Sequence, residues 1–113
     1  MNFKEVNNMF DINTISKRYF DINISVKDDE GQTHSIRLEV EPPKVKTLRK
    51  IITLSKNKDD EEAMSQAISL ILNKNKACRK VPQAIIDELD IDQYKAIFDE
   101  YSNWLNDVKN SPN

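Results

Sequence analysis

The stretch from Ile91 to Val108 constrains this chain more than any other. Ile91, Tyr94, Phe98, Tyr101, Leu105 and Val108 recur in steps of three and four, and Ile97 and Trp104 widen the stripe. Asp92, Lys95, Asp99, Glu100, Asn103 and Asp107 fall largely on the other side. This periodicity predicts an amphipathic α-helix whose broad apolar face must be covered. Its start is marked as well: Asp90 can cap, Gln93 stands three residues on as in a capping box, and Leu89 can staple onto Tyr94. The stripe is expected to be the largest single hydrophobic contributor. It reads either as core alone or as core that also docks a partner through Tyr94, Tyr101, Trp104 and Leu105.

Ahead of this helix the pattern has period two. Phe20, Ile22, Ile24 and Val26 alternate with Asp21, Asn23, Ser25 and Lys27; His34, Ile36, Leu38 and Val40 alternate with Ser35, Arg37, Glu39 and Glu41. Two half-buried strands are predicted, with His34 on the inward side. The polar link Asp28-Asp29-Glu30-Gly31-Gln32 reads as a hairpin turn that uses Gly31 where φ must be positive. A two-stranded ribbon is marginal alone, so it needs a helical layer and has room for a third strand from the N-terminus or a neighbouring subunit. The tetrapeptide Phe10-Asp11-Ile12-Asn13 recurs as Phe20-Asp21-Ile22-Asn23. Coincidence and a short extra strand are both open.

Pro42-Pro43 ends the second strand and can start a helix. Val45, Leu48, Ile51, Ile52 and Ser55 then step at helical spacing, with Lys46, Arg49 and Lys50 on a basic face opposite Val45, Leu48 and Ile52. Asp59 to Glu62 place acids at the start of a further helix expected to run to about Lys74, with Met64, Ala67, Ile68, Ile71 and Leu72 inward. Val81-Pro82 opens a short helix to Leu89. The expectation is an α+β fold: an antiparallel hairpin packed on about four helices. It forms one domain over 1–113, divided into a weakly ordered 1–17, a hairpin at 18–41, a helical part at 43–110 and a tail at 111–113.

Several chemistries lack their residues. The 113-residue chain has one Gly, so phosphate-cradling glycine loops are absent. One His and one Cys cannot build a His/Cys zinc site, and Cys78 cannot form an internal disulfide. No Ser sits in a nucleophile elbow, and Asp59 to Glu62 lack the ligand alternation of a calcium loop. Asp87, Glu88, Asp90 and Asp92 read as solvated surface, because consecutive helical positions do not face each other. No catalytic, cofactor or metal residue is therefore expected, and no enzyme. A net charge of −2 does not suggest a nucleic-acid coat. The basic run from Lys44 to Lys58 reads as a solvated face, a surface for an acidic protein, or a nucleic-acid contact without interleaved stacking groups. No signal peptide is seen at the N-terminus, and the apolar run from Ala67 to Leu72 is too short to span a bilayer.

The order of these pieces is familiar: the Phe20–Val26 and Ile36–Val40 hairpin, Val40-Glu41-Pro42-Pro43, Leu48-Arg49-Lys50-Ile51-Ile52, an acid-started helix, Val81-Pro82-Gln83-Ala84-Ile85-Ile86, and a closing Tyr94, Phe98, Tyr101, Trp104-Leu105 helix. Over roughly residues 18–110 the chain resembles the tail assembly chaperones of long-tailed bacteriophages and prophages of Gram-positive bacteria. The resemblance implies a non-enzymatic protein of the host cytoplasm, absent from the mature virion. It would bind the tape measure protein, keep it soluble, help recruit tail tube subunits and self-associate. Such chaperones are often also made in a longer, frameshifted form. On this reading Tyr94, Tyr101, Trp104 and Leu105 offer an apolar groove, and Lys46, Arg49 and Lys50 steer acidic segments. The alternative is a small adaptor or nucleic-acid-binding regulator using helix 44–58.

Overall fold

A computed structural model of the chain describes residues 9–57 and 59–107. The fold is α+β, with an antiparallel hairpin followed by four helices. Strands β1 (Phe20–Lys27) and β2 (Thr33–Val40) pair from Phe20 opposite Val40 to Lys27 opposite Thr33. This register puts Ile22 beside Leu38 and Ile24 beside Ile36 on one face, and Ser25 beside Ser35 on the other, where their hydroxyls lie 2.8 Å apart. The turn is built on Asp28. Its carboxylate accepts the amides of Glu30 and Gln32, its carbonyl accepts the Gly31 amide, and Gly31 takes φ 81°. That conformation is open to Gly and strained for a residue with a Cβ.

The helices are α1 (Val45–Ser55), α2 (Glu61–Leu72), α3 (Gln83–Asp87) and α4 (Ile91–Asn106). Pro42 and Pro43 lie just before α1, whose N-cap Lys44 makes no side-chain cap. Asp60 caps α2 by accepting the Glu62 and Ala63 amides at 3.0 and 3.1 Å. The predicted capping box opens α4, with the Asp90 carboxylate and the Gln93 side chain each accepting the other's amide at 2.8 Å.

The core is centred on α2 rather than on α4, contrary to the weight given to the terminal stripe. Ala63, Met64, Ala67, Ile68, Ile71 and Leu72 are buried on α2, against Tyr94, Ile97 and Tyr101 on α4. The small Ala63 and Ala67 let neighbours approach closely, and α2 touches α1, α3, α4 and β2. Ile91, expected in the buried stripe, is exposed in the first turn of α4; Phe98, Trp104 and Leu105 are half-buried. Val108, Lys58, residues 1–8 and the tail lie outside the described residues.

No third strand comes from the N-terminal side among the described residues, where Ile12–Thr14 instead form a single 3-10 turn capped by Asp11. The extra pairing lies on the far edge of β2. Val40 bridges to Asn75, the Glu41 amide donates to the Lys74 carbonyl at 2.8 Å, and the Lys76 amide donates to the Glu39 carbonyl at 2.9 Å. Asn75 is 2% exposed and organises the loop after α2. Its Nδ2 donates to the carbonyls of Leu72 and Arg79, and its Oδ1 accepts the Arg79 amide. Asn73 closes the same loop, accepting the Val81 amide at 2.7 Å. Cys78 lies at its tip with φ 55°.

Candidate interaction surfaces

Burial decides which of the expected anchors face outward. Tyr101 is 1% exposed, with its ring edge-on to Phe20 at 5.9 Å. Desolvation pushes its hydroxyl pKa up to about 12. Tyr94 is buried too. Its hydroxyl donates to the Ile86 carbonyl at 3.2 Å, and burial raises its pKa. Both rings are therefore core, and neither offers a partner the surface expected of it. Trp104 and Leu105 keep part of theirs. The Trp104 ring stands 5.7 Å from both Phe20 and Tyr101, and the Arg18 guanidinium lies over it at 4.5 Å from the centroid.

Arg18 is the residue that pattern reading missed. Its guanidinium donates to the Trp104 carbonyl and, at 3.0 Å, to the Leu105 carbonyl. The last turn of α4 carries no basic residue of its own. Arg18 thus supplies a cation and donors to the negative helix end. The sole sequence signal is that the last turn of this helix carries no basic residue of its own.

The basic face of α1 is present, with Lys46, Arg49 and Lys50 all exposed. What lies opposite differs from expectation. Ile51 is the buried residue of α1, flanked by the half-buried Leu48 and Leu54, while Val45 is 67% and Ile52 46% exposed. The helix rests on α2 through Ile51, so the line Val45, Arg49, Ile52, Lys56 faces solvent as alternating apolar and basic side chains.

His34, expected inward, is exposed instead. Near the hairpin tip its Nε2 lies 2.9 Å from the Asp28 carboxylate, and that contact leads the causes that lower the Asp28 pKa. The acids at 59–62 surround the start of α2. Glu61, Glu62, Asp87 and Asp90 line an open acidic cleft of about 740 Å³ between α2, α3 and α4. A second groove, of about 560 Å³, follows the outer edge of β1 and is floored by Leu89, Ala96 and Ile97. Among the described residues there is no cluster of three or more His, Cys, Asp or Glu placed to hold a metal, and no helix long and apolar enough to cross a membrane. Comparison with protein-family models, curated proteins and solved structures finds no match.

Proposed function

We propose that this protein is a non-enzymatic tail assembly chaperone of a long-tailed phage or prophage. It works in the cytoplasm of the bacterial host and is left out of the finished virion. Its client is the tape measure protein, which it holds in solution while tail tube subunits are recruited. The observation that carries this reading is the outer face of α1. Val45 and Ile52 stand in solvent with Arg49 between them, and Lys46 and Lys50 lie alongside. An apolar contact edged by cations suits an amphipathic client helix with acidic flanks. The half-buried Trp104 and Leu105 offer a second apolar contact.

The test is co-expression with a tape measure protein from the same genome. Soluble, co-purifying client is the expected result, lost in a Val45→Asp/Ile52→Asp variant that keeps its circular dichroism spectrum. An insoluble client with the unaltered chaperone would sink the proposal. The same basic face could instead serve a nucleic-acid-binding regulator. In that case gel-shift binding would fall steeply with salt and would survive the loss of Val45 and Ile52.

A further inference from the structure

Met9, Phe10, Ile12 and Ile15 project from the segment ahead of β1, each between 61% and 77% exposed. So dense a run of large apolar side chains in solvent marks an interaction site. A few residues away, β1 is hydrogen-bonded only along its β2 side, and no described residue pairs with its other edge. That edge is the wall of the 560 Å³ groove, which is lined by consecutive residues from Phe20 to Ser25, as a bare strand edge would be, by Leu89 just ahead of α4 and Ala96 and Ile97 on it as an apolar floor, and by Gln93 and Glu100 at its polar margin. An unpaired edge beside an apolar trough is built to accept an extended segment.

We infer that this edge is filled by the N-terminal arm of a second copy of the chain, added as a third strand in a reciprocal exchange. The occupant is specified by its sequence. Phe10-Asp11-Ile12-Asn13 is identical to Phe20-Asp21-Ile22-Asn23, and the second copy already lies in β1 with Phe20 and Ile22 against the core and Asp21 and Asn23 outward. The same four residues in strand conformation would turn Phe10 and Ile12 together into the trough and leave Asp11 and Asn13 in water. The arm is held off its own edge. Pairing Ile12 with Phe20 and Phe10 with Ile22 in one chain requires a reversal over residues 13–19. Arg18, inside that stretch, is already fastened to the Trp104 and Leu105 carbonyls. A partner's arm meets no such restraint, and a two-fold exchange closes on itself with both edges consumed.

The exchange is independent of any client and is tested on the full-length protein alone by sedimentation velocity across a concentration series. The unaltered chain is expected to dimerise. Phe10→Asp/Ile12→Asp alters only exposed arm residues and should weaken the dimer by about a hundredfold or more. Ala96→Arg, an exposed position in the trough, should weaken it comparably. Mixing the two variants should restore a heterodimer, because one intact arm then meets one intact edge. A chain that stays monomeric throughout overturns the proposal, whether its arm is free or folded onto its own edge. A dimer indifferent to Phe10→Asp/Ile12→Asp overturns it in favour of direct β1-to-β1 pairing, and one indifferent to Ala96→Arg removes the trough from the interface.

Discussion

Replacing Asn75 should damage this fold out of proportion to the size of the side chain. Its amide makes three hydrogen bonds: Nδ2 to the Leu72 carbonyl at 2.9 Å, Nδ2 to the Arg79 carbonyl at 2.8 Å, and Oδ1 from the Arg79 amide at 2.9 Å. Each is worth about 1 kcal/mol net, and more where the abandoned partner stays dry. Leu72 is fully buried, so its carbonyl has no easy access to water, whereas Arg79 is exposed and its backbone can be partly rehydrated. The expected cost of Asn75→Ala is therefore about 2–3 kcal/mol, a shift of about 1–2 M in the urea midpoint. Asn75→Asp sharpens the argument because it keeps the shape. It turns a carboxylate oxygen toward two carbonyls in a site that is 2% exposed, so at pH 7 it should be less stable than Asn75→Ala. Acidification should narrow that deficit, since a protonated carboxyl regains a donor. Urea unfolding followed by circular dichroism, with hydrogen exchange at the Arg79 amide, reads both effects. The reasoning fails if Asn75→Ala costs under about 0.5 kcal/mol, the range of an unremarkable surface change. It fails equally if Asn75→Asp is the more stable of the two at neutral pH.

Arg18→Ala removes two charge-assisted bonds to the end of α4 and the cation over Trp104, and should cost about 1–3 kcal/mol while shifting Trp fluorescence to the red. Arg18→Lys should recover less than half of that loss, because an ammonium cannot fork across both carbonyls while stacking on the ring. Burial raises the folded-state pKa of Tyr101 to about 12, above the ordinary phenol value of about 10. Its contribution should thus be complete below pH 10 and should disappear as pH climbs through 12, about 2–3 kcal/mol in all. Tyr101→Phe should flatten that part of the alkaline stability curve, and an unchanged curve would contradict the burial argument. Asp28 titrates in the opposite direction. Its pKa is lowered from 3.8, chiefly by the His34 contact, so the stability it lends the hairpin is present above that value and lost as pH falls through the folded one. Asp28→Asn should remove this acid-side dependence from amide exchange in the turn.

What could be read in advance was local. The Asp90–Gln93 box, the period-two strands and the Gly31 turn are each specified within a few residues, and each forms as expected. What could not be read depends on partners distant in the chain. The rotation of α1, which leaves Val45 and Ile52 in solvent, is set by where Ile51 meets α2; helical periodicity defines a stripe but not which edge of it is covered. The same limit misplaced Tyr94 and Tyr101, since a broad apolar face looks alike whether its covering is internal or borrowed. The weight of α2 was underestimated because Ala63 and Ala67 add little to a hydrophobic sum while permitting the close approach that makes a helix central. His34 continues the inward alternation but lies near the hairpin tip, where a charged neighbour suits it better than a core. Arg18 and Asn75 act on backbone carbonyls and amides, which no side-chain pattern displays.

The clasp between Arg18 and the last turn of α4 also fixes the geography of the molecule. Residue 18 and residue 105 meet at one corner, so the folded body is nearly a closed loop whose seam lies there. A short peptide joining the two flanks across that seam, with new ends cut at the exposed Asp29–Gly31 turn, should yield a circular permutant that still folds. By the same geometry, residues 18 and 105 would stay joined through the new peptide while the hairpin turn became the pair of ends.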